Sequence, residues 1–311
     1  MNSYSVVIPV YKSTKSLEIL TNQIKELEKD QGYKFEIIFV NDSPNFYDTE
    51  KVLKQIQQEH TNVRVLTLRK NQGQHVALLI GIKYATGQYI ITMDDDLQHP
   101  VSEIPKLIKA ITENNQVEAI FAVPAYKNKK HSLWRNIGSY IINRIDSLFL
   151  KKPNKLVKSA FRIMTTDLAK VIVSNYNAMP AVSSLIINST NSIINIEVEH
   201  GKRVYGEGNY SFHKLINLTL NTILHYSSLP LKIVGFIGII GFLFSLIFIS
   251  IVIVRKLYMG IAFPGYASTV SLICFFGGLN LLALGLIGEY LIRILKEQQK
   301  VPLNDYIKKS E

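Results

Sequence analysis

Residues Tyr89 to Pro100 read YIITMDDDLQHP. A short apolar run, Tyr89 to Met93, ends abruptly on Asp94, Asp95 and Asp96. The run has the length and β-branched content of a buried strand. Three adjacent carboxylates at its end repel one another and call for a cation or for full exposure to water. In an open α/β sheet the crevice beyond the carboxyl ends of the strands is where ligands sit. If the chain stays extended, Asp94 and Asp96 share a side, and Gln98 adds a third oxygen in the same alternation. Oxygen ligands of this kind suit a hard divalent ion, Mg2+ or Mn2+, with positions left open for phosphate oxygens. An acidic loop tip is the plainer alternative.

The neighbouring sequence alternates strands and helices. Ser5 to Val10 opens as a strand. A helix follows to Asp30, with Leu17, Leu20, Ile24 and Leu27 on one face and Ser13 or Thr14 as its cap. Strand Phe35 to Val40 ends in the turn Asn41-Asp42-Ser43-Pro44. A helix over 46–60, a strand over 63–68 and a helix opening at Asn71-Gln-Gly-Gln-His75 and running to Thr86 lead into the acidic strand. A helix over 102–114 and a strand over 119–123 follow. This alternation predicts a mostly parallel sheet covered on both faces. Tyr11, Asp42, Lys70 and Asp94 all fall at strand ends, a constellation the size of a nucleotide. Neither G-x-G-x-x-G nor G-x-x-x-x-G-K-[ST] is present, so phosphates would have to be met by a metal.

The 311 residues carry a formal net charge of +11, which suits an anionic partner. The lone Cys274 excludes an internal disulfide framework. The N-terminus lacks the pattern of a signal peptide, so the first domain is expected to stay in the cytosol. Residues 231–254 are apolar with one charge, Lys232, at their entry, and about 266–295 form a second apolar run charged only at Glu289 and Arg293. Each is long enough to span roughly 30 Å of hydrocarbon. The pair reads as a transmembrane hairpin, with the basic tail 296–311 on the cytosolic side. Residues 127–158 hold nine lysines and arginines against the single acid Asp146. Trp134, Ile137, Ile141, Ile145 and Leu148 line one helical face there, as in a membrane-surface helix. Residues 212–230 read as a further interfacial helix. A membrane hairpin without a nucleic-acid motif makes nucleic acid an improbable partner.

SVVIPVYK, FVNDSP, the block from Asn71 to Pro100, FRIM and RVYGEGNYSF together resemble the family 2 glycosyltransferases of GT-A fold. The bacterial polyprenyl-phosphate glycosyltransferases are the most similar group, and the GQH triplet with RxxGExxYSF is most similar to their aminoarabinose type. The resemblance implies a Rossmann-like GT-A domain over 1–211. It implies inverting transfer of a sugar from a nucleotide sugar, UDP above all, to undecaprenyl phosphate, with Mg2+ or Mn2+. It implies a multi-pass protein of the bacterial cytoplasmic membrane, catalytic domain in the cytosol, assembled as a homo-oligomer (a tetramer by analogy).

By position, the resemblance makes Asp94, Asp96 and Gln98 metal ligands. It makes Pro9, Tyr11, Asp42, Lys70 and Asp95 contacts of the nucleotide sugar. Arg135, Arg162 and Arg203 become candidates for the acceptor phosphate, since arginine grips phosphate with two parallel hydrogen bonds. Arg162 and Arg203 join Asp94 and Asp96 as catalytic candidates. His75 and His99 flank this set and are equally suited to capping or packing. The chain departs from the family pattern at Asn41-Asp42-Ser43-Pro44, where D-D-G-S is usual, at Lys12, and before Phe161, where an aspartate is usual. A processive polysaccharide synthase would carry Q-x-x-R-W and more spans, and neither is present. A membrane scaffold with a decayed transferase domain is the other alternative.

Overall fold

The computed structural model describes residues 2–125, 156–178, 180–199, 201 and 265–308, with scattered positions between 234 and 258. The basic segment's first 29 residues (127–155), the interfacial segment 212–230, Arg135 and Arg203 lie outside the described residues.

Residues 1–215 and 300–311 form one compact unit, and 216–299 form a second. The first is built on a seven-stranded sheet: β1 (Ser3–Val10), β2 (Lys34–Asn41), β3 (Val63–Thr67), β4 (Tyr89–Thr92), β5 (Ala119–Pro124), β6 (Arg162–Thr165) and β7 (Ile193–Val198). Their order across the sheet is β3-β2-β1-β4-β6-β5-β7. The pairs β1–β2, β1–β4, β2–β3 and β5–β7 are parallel, whereas β6 runs antiparallel to both β4 and β5. The central strands are apolar on both faces: Val6, Val7 and Ile8 of β1, and Ile37 to Val40 of β2, are fully buried. Strands of that pattern need cover on both sides.

Among the described residues the cover comes from six helices. They are α1 (Lys15–Gln31), α2 (Tyr47–Glu59), α3 (Gln74–Tyr84), α4 (Ile104–Glu113), α5 (Thr166–Ser174) and α6 (Val182–Ser189). Leu17, Leu20 and Ile24 of α1, Leu53 and Ile56 of α2, and Leu107 and Ile111 of α4 close one core with Ile8, Ile37 and Phe39. On α3, Ala77 to Ile82 are all buried, as befits a helix enclosed on every side. At Gly87 the chain enters β4 so close to β1 that a Cβ would lie 2.6 Å from the Ser5 nitrogen.

Some local expectations change. Thr14 occupies the cap position of α1 but makes no side-chain capping bond, and the Ser13 hydroxyl donates instead to the Tyr11 carbonyl at 3.5 Å. The helix expected from Asn71 starts at Gln74, because Gly73 has φ 86°. The helix expected at Ser102 begins as a 3-10 turn, Val101–Glu103. Helix α6 was not foreseen. The tail is a docked segment: Lys300 onward belongs to the first unit, and Leu68 and Ile307 form an antiparallel bridge.

In the second unit α7 (Tyr266–Gln298) is a single 33-residue helix. By length and composition its stretch Phe275–Gln298 could cross a membrane, and it is the one such helix among the described residues. Several of its large apolar side chains, among them Phe275, Leu281, Leu284 and Leu291, are exposed. The described positions between 234 and 258 are helical, and Phe236, Phe244 and Ile247 are exposed as well. Exposed apolar area of this extent marks a surface meant for lipid or protein.

Candidate active site

The strand order fixes where a ligand can bind. From β1 the chain winds outward to β2 and β3, then returns to place β4 on β1's other side. Loops after β1 and β4 therefore diverge, and a crevice opens between them at the carboxyl edge. A cavity of about 560 Å³ occupies that place, lined by Pro9, Val10, Tyr11, Asp42, Asn71, Gly73, Gln74, Asp94, Asp95 and Asp96.

The acidic loop is not extended as alternation would require. Leu97 turns left-handed, with φ 62°, and the Gln98 N–H donates to Asp96 Oδ1 at 3.1 Å. The left-handed turn breaks the alternation that would have set Gln98 beside Asp94 and Asp96, and Gln98 does not line the cavity. The other non-glycine residue with positive φ among the described residues is Lys12, at 58°, beside the same cavity. Left-handed backbone at such residues costs on the order of 1 kcal/mol or more each and collects at functional sites.

Each carboxylate has its own setting. Asp94 Oδ1 accepts the Gln74 amide at 2.6 Å and lies in the field of Arg162. Asp95 turns inward toward the β1 loop, where the Tyr11 N–H and the Ser13 hydroxyl favour its charged form. Its Oδ2 is buried without a hydrogen-bond partner. Burial, above all, pushes the Asp95 carboxyl up to about 6, and the neighbouring Asp96 adds to the effect. Asp42 accepts the backbone N–H groups of Gln72 and Gly73 at 2.6 and 2.8 Å. It thereby ties down the loop between β3 and α3. Burial raises its pKa.

Arg162 is wholly buried. It donates from Nε to Thr92 Oγ1 at 2.8 Å and from Nη1 to Ser183 Oγ at 2.9 Å. Burial lowers its pKa to about 10, which leaves it charged at neutral pH. Its geometry backs Asp94 from beneath the crevice. His75, at the start of α3, is held neutral, its pKa lowered to about 4 by burial and then by Arg162 and Lys158. Its Nδ1 is buried without a hydrogen-bond partner. His99 packs its ring 5.2 Å from that of Phe161.

Of the residues expected from sequence, Pro9, Tyr11, Asp42, Asp94, Asp95 and Asp96 are thus gathered in one cavity. Lys70 is exposed and does not line it. Sequence reasoning missed Gln74, Asn71, Gly73 and Ser183. The GQH triplet was the signal for Gln74, since a helix opening beside an acidic strand end can present a polar side chain to it.

The donor set is all oxygen. Among the described residues no group of three or more His, Cys, Asp and Glu side chains forms a complete metal cage. A hard divalent ion held by one or two carboxylates, with the rest of its shell from substrate phosphates, is compatible with that set. Asp94 and Asp96 fit this requirement.

The sequence pattern of Glycosyl transferase family 2 matches residues 5–172, from β1 into α5. The chain belongs to that family. As a member of glycosyl transferase family 2 it is an enzyme of the transferase class. An undecaprenyl-phosphate 4-deoxy-4-formamido-L-arabinose transferase of Photorhabdus laumondii is 28% identical over 303 residues, covering 96% of this chain and 91% of that one. A Bacillus subtilis (strain 168) protein, CsbB, bears only the general description glycosyltransferase. It is 29% identical over 307 residues, 96% of this chain and 89% of its own. Among solved structures, glucosyl-3-phosphoglycerate synthase from Mycobacterium tuberculosis, crystallised with Mn2+, UDP and phosphoglyceric acid, superposes with a TM-score of 0.52. The identity is 14%, with 72% of this chain and 76% of that one covered. That likeness establishes a GT-A-like α/β fold with a mixed, mostly parallel sheet.

Proposed function

We propose that this glycosyltransferase moves a sugar from a nucleotide diphosphate sugar, UDP-linked, to the phosphate of undecaprenyl phosphate, with inversion at the anomeric carbon. The observation that carries this reading is the cavity at the β1/β4 switch point, where Tyr11, Asp42, Gly73 and the three aspartates meet. The full-length likeness to undecaprenyl-phosphate sugar transferases supports the choice of acceptor.

Tyr11, more than half exposed at the cavity's rim, offers a face for a nucleobase. Asp42 orders the 72–73 backbone on the opposite wall. Asp94 and Asp96 would hold Mg2+ or Mn2+, which supplies charge neutralisation to a departing diphosphate. Gln74 and Arg162 fix Asp94 before any ligand arrives, so its orientation costs nothing at the moment of reaction. A phosphate monoester is already largely dianionic near neutral pH, its second pKa being about 6. Positioning of the acceptor therefore matters more than general-base help. Arg135 and Arg203 are proposed for that task from the sequence; Arg162, the third candidate, is wholly buried and bonded to Thr92 and Ser183, so its proposed part is the charge it sets beside Asp94.

Residues 231–254 and 266–295 are proposed as a membrane hairpin. An even number of crossings is supported by connectivity, because residues 300–308 pair with the same domain from which the chain departed. Lys296, Lys300 and Lys308 beyond the second run support a cytosolic domain. The test is purified full-length protein in lipid, supplied with undecaprenyl phosphate and a panel of labelled UDP- and GDP-sugars. Transfer of one label to the lipid, lost on chelation, supports the reading, and no transfer from any donor overturns it.

A further inference from the structure

We infer that the C-terminal segment 300–308 positions the nucleotide-facing loop between β3 and α3, beyond any part it plays in joining the catalytic domain to α7. This rests on the proposed donor site. Strand β3 is an edge of the sheet, and the tail covers it. The Arg69 N–H donates to the Tyr306 carbonyl at 2.8 Å, and the Lys308 N–H donates to the Thr67 carbonyl at 2.8 Å. These two bonds bracket the Leu68–Ile307 bridge. Arg69 Nε adds a bond to the Asp305 carbonyl at 3.0 Å, and Tyr84 Oη donates to Asn304 at 3.1 Å. Leu303 is buried. At the segment's start, Lys300 lies over the Tyr176 ring and donates to the Tyr176 carbonyl at 2.8 Å, while Tyr176 Oη donates to the Val301 carbonyl at 3.0 Å.

The placement of these bonds carries the inference. The tail grips Thr67 to Arg69 at the loop's first end and Tyr84 at the far end of α3. Between them lie Asn71 and Gly73, which line the cavity, and the two amides given to Asp42. Loop 70–73 thus has Asp42 on one side and the tail-held root on the other. Simple protection of an exposed edge strand would need the pairing but would leave the loop's order unaffected.

The experiment uses the full chain in lipid and two substitutions at one position. Lys308→Pro deletes the N–H given to Thr67, and Ile307 already has the extended backbone a following proline requires. Lys308→Ala keeps that N–H. Hydrogen exchange at Gln72 and Gly73 and the donor KM are measured beside kcat and Tm. The proline variant is expected to exchange these amides roughly fivefold faster and raise the donor KM by a similar factor, from the loss of one backbone bond. Its kcat should be little changed, and the alanine variant should match wild type. A chain ending at Gln299 should show the same effects more strongly. Unchanged exchange at both amides in the proline variant overturns the inference, even if Tm falls. If wild type turns over no nucleotide sugar, the donor-site reading fails instead, while the exchange rates still decide the tail's role.

Discussion

Gln74 Nε2 and Asp94 Oδ1 meet at 2.6 Å across the crevice between α3 and β4. The first residue of a helix thus orients the first acid after a strand. A hydrogen bond to a charged carboxylate is worth about 1.5–3 kcal/mol. Gln74→Ala is expected to lower kcat about tenfold with little change in Tm, and Gln74→Glu to lower it further by setting a like charge against Asp94. Asp94→Asn should cost roughly a hundredfold or more. Steady-state transfer assays beside thermal melts check all three. A Gln74→Ala enzyme of full activity would remove this contact from the mechanism.

Gly73 has φ 86° and ψ 157°, a conformation open almost only to glycine. No atom stands within 4 Å of a Cβ built there, so the penalty of Gly73→Ala is purely conformational. We expect a loss of about 1–3 kcal/mol, felt as a lower Tm and a weaker donor KM, since Gly73 also gives its N–H to Asp42.

His75 makes the fold sensitive to acid. Its pKa falls from 6.5 to about 4, through burial first and the charges of Arg162 and Lys158 second. The unfolded chain therefore takes the proton before the folded one does. The stability tied to the neutral ring is complete above pH 6.5, drains away between 6.5 and 4, and changes no further below. Denaturant melts of wild type and His75→Asn should diverge over that window by about 3 kcal/mol. Parallel pH curves would contradict the burial of the ring.

Chelation should abolish transfer, and added Mg2+ or Mn2+ should restore it. Asp96→Asn separates chemistry from folding. An asparagine keeps the oxygen that accepts the Gln98 N–H, so Tm should hold while activity falls by about two orders of magnitude. Chelator-resistant transfer would remove the metal from the proposal.

The sheet and the acidic crevice were legible because their signals are local. The run Tyr89–Thr92 is short, β-branched and cut off by charge, and each neighbouring strand carries a comparable stop. Three things were not local. Left-handed Leu97 bends the acidic loop away from simple alternation, and nothing in a leucine announces that. The depth of Arg162 depends on Thr92 and Ser183, partners 70 and 21 residues away. Residues 300–308 have no periodicity of their own and take their shape from the edge of β3. Helix α6, at eight residues, is too short to display a helical repeat.

One reversal of strand sense has a large effect on the crevice. Because β6 runs against β4, its first residue, Arg162, stands opposite Thr92, the last residue of β4. Laid the other way, the same strand would deliver its opening guanidinium to the far rim of the sheet, remote from every aspartate. The countercharge beneath Asp94 is thus a product of wiring: chain direction, more than loop design, sets a permanent cation under the proposed diphosphate site.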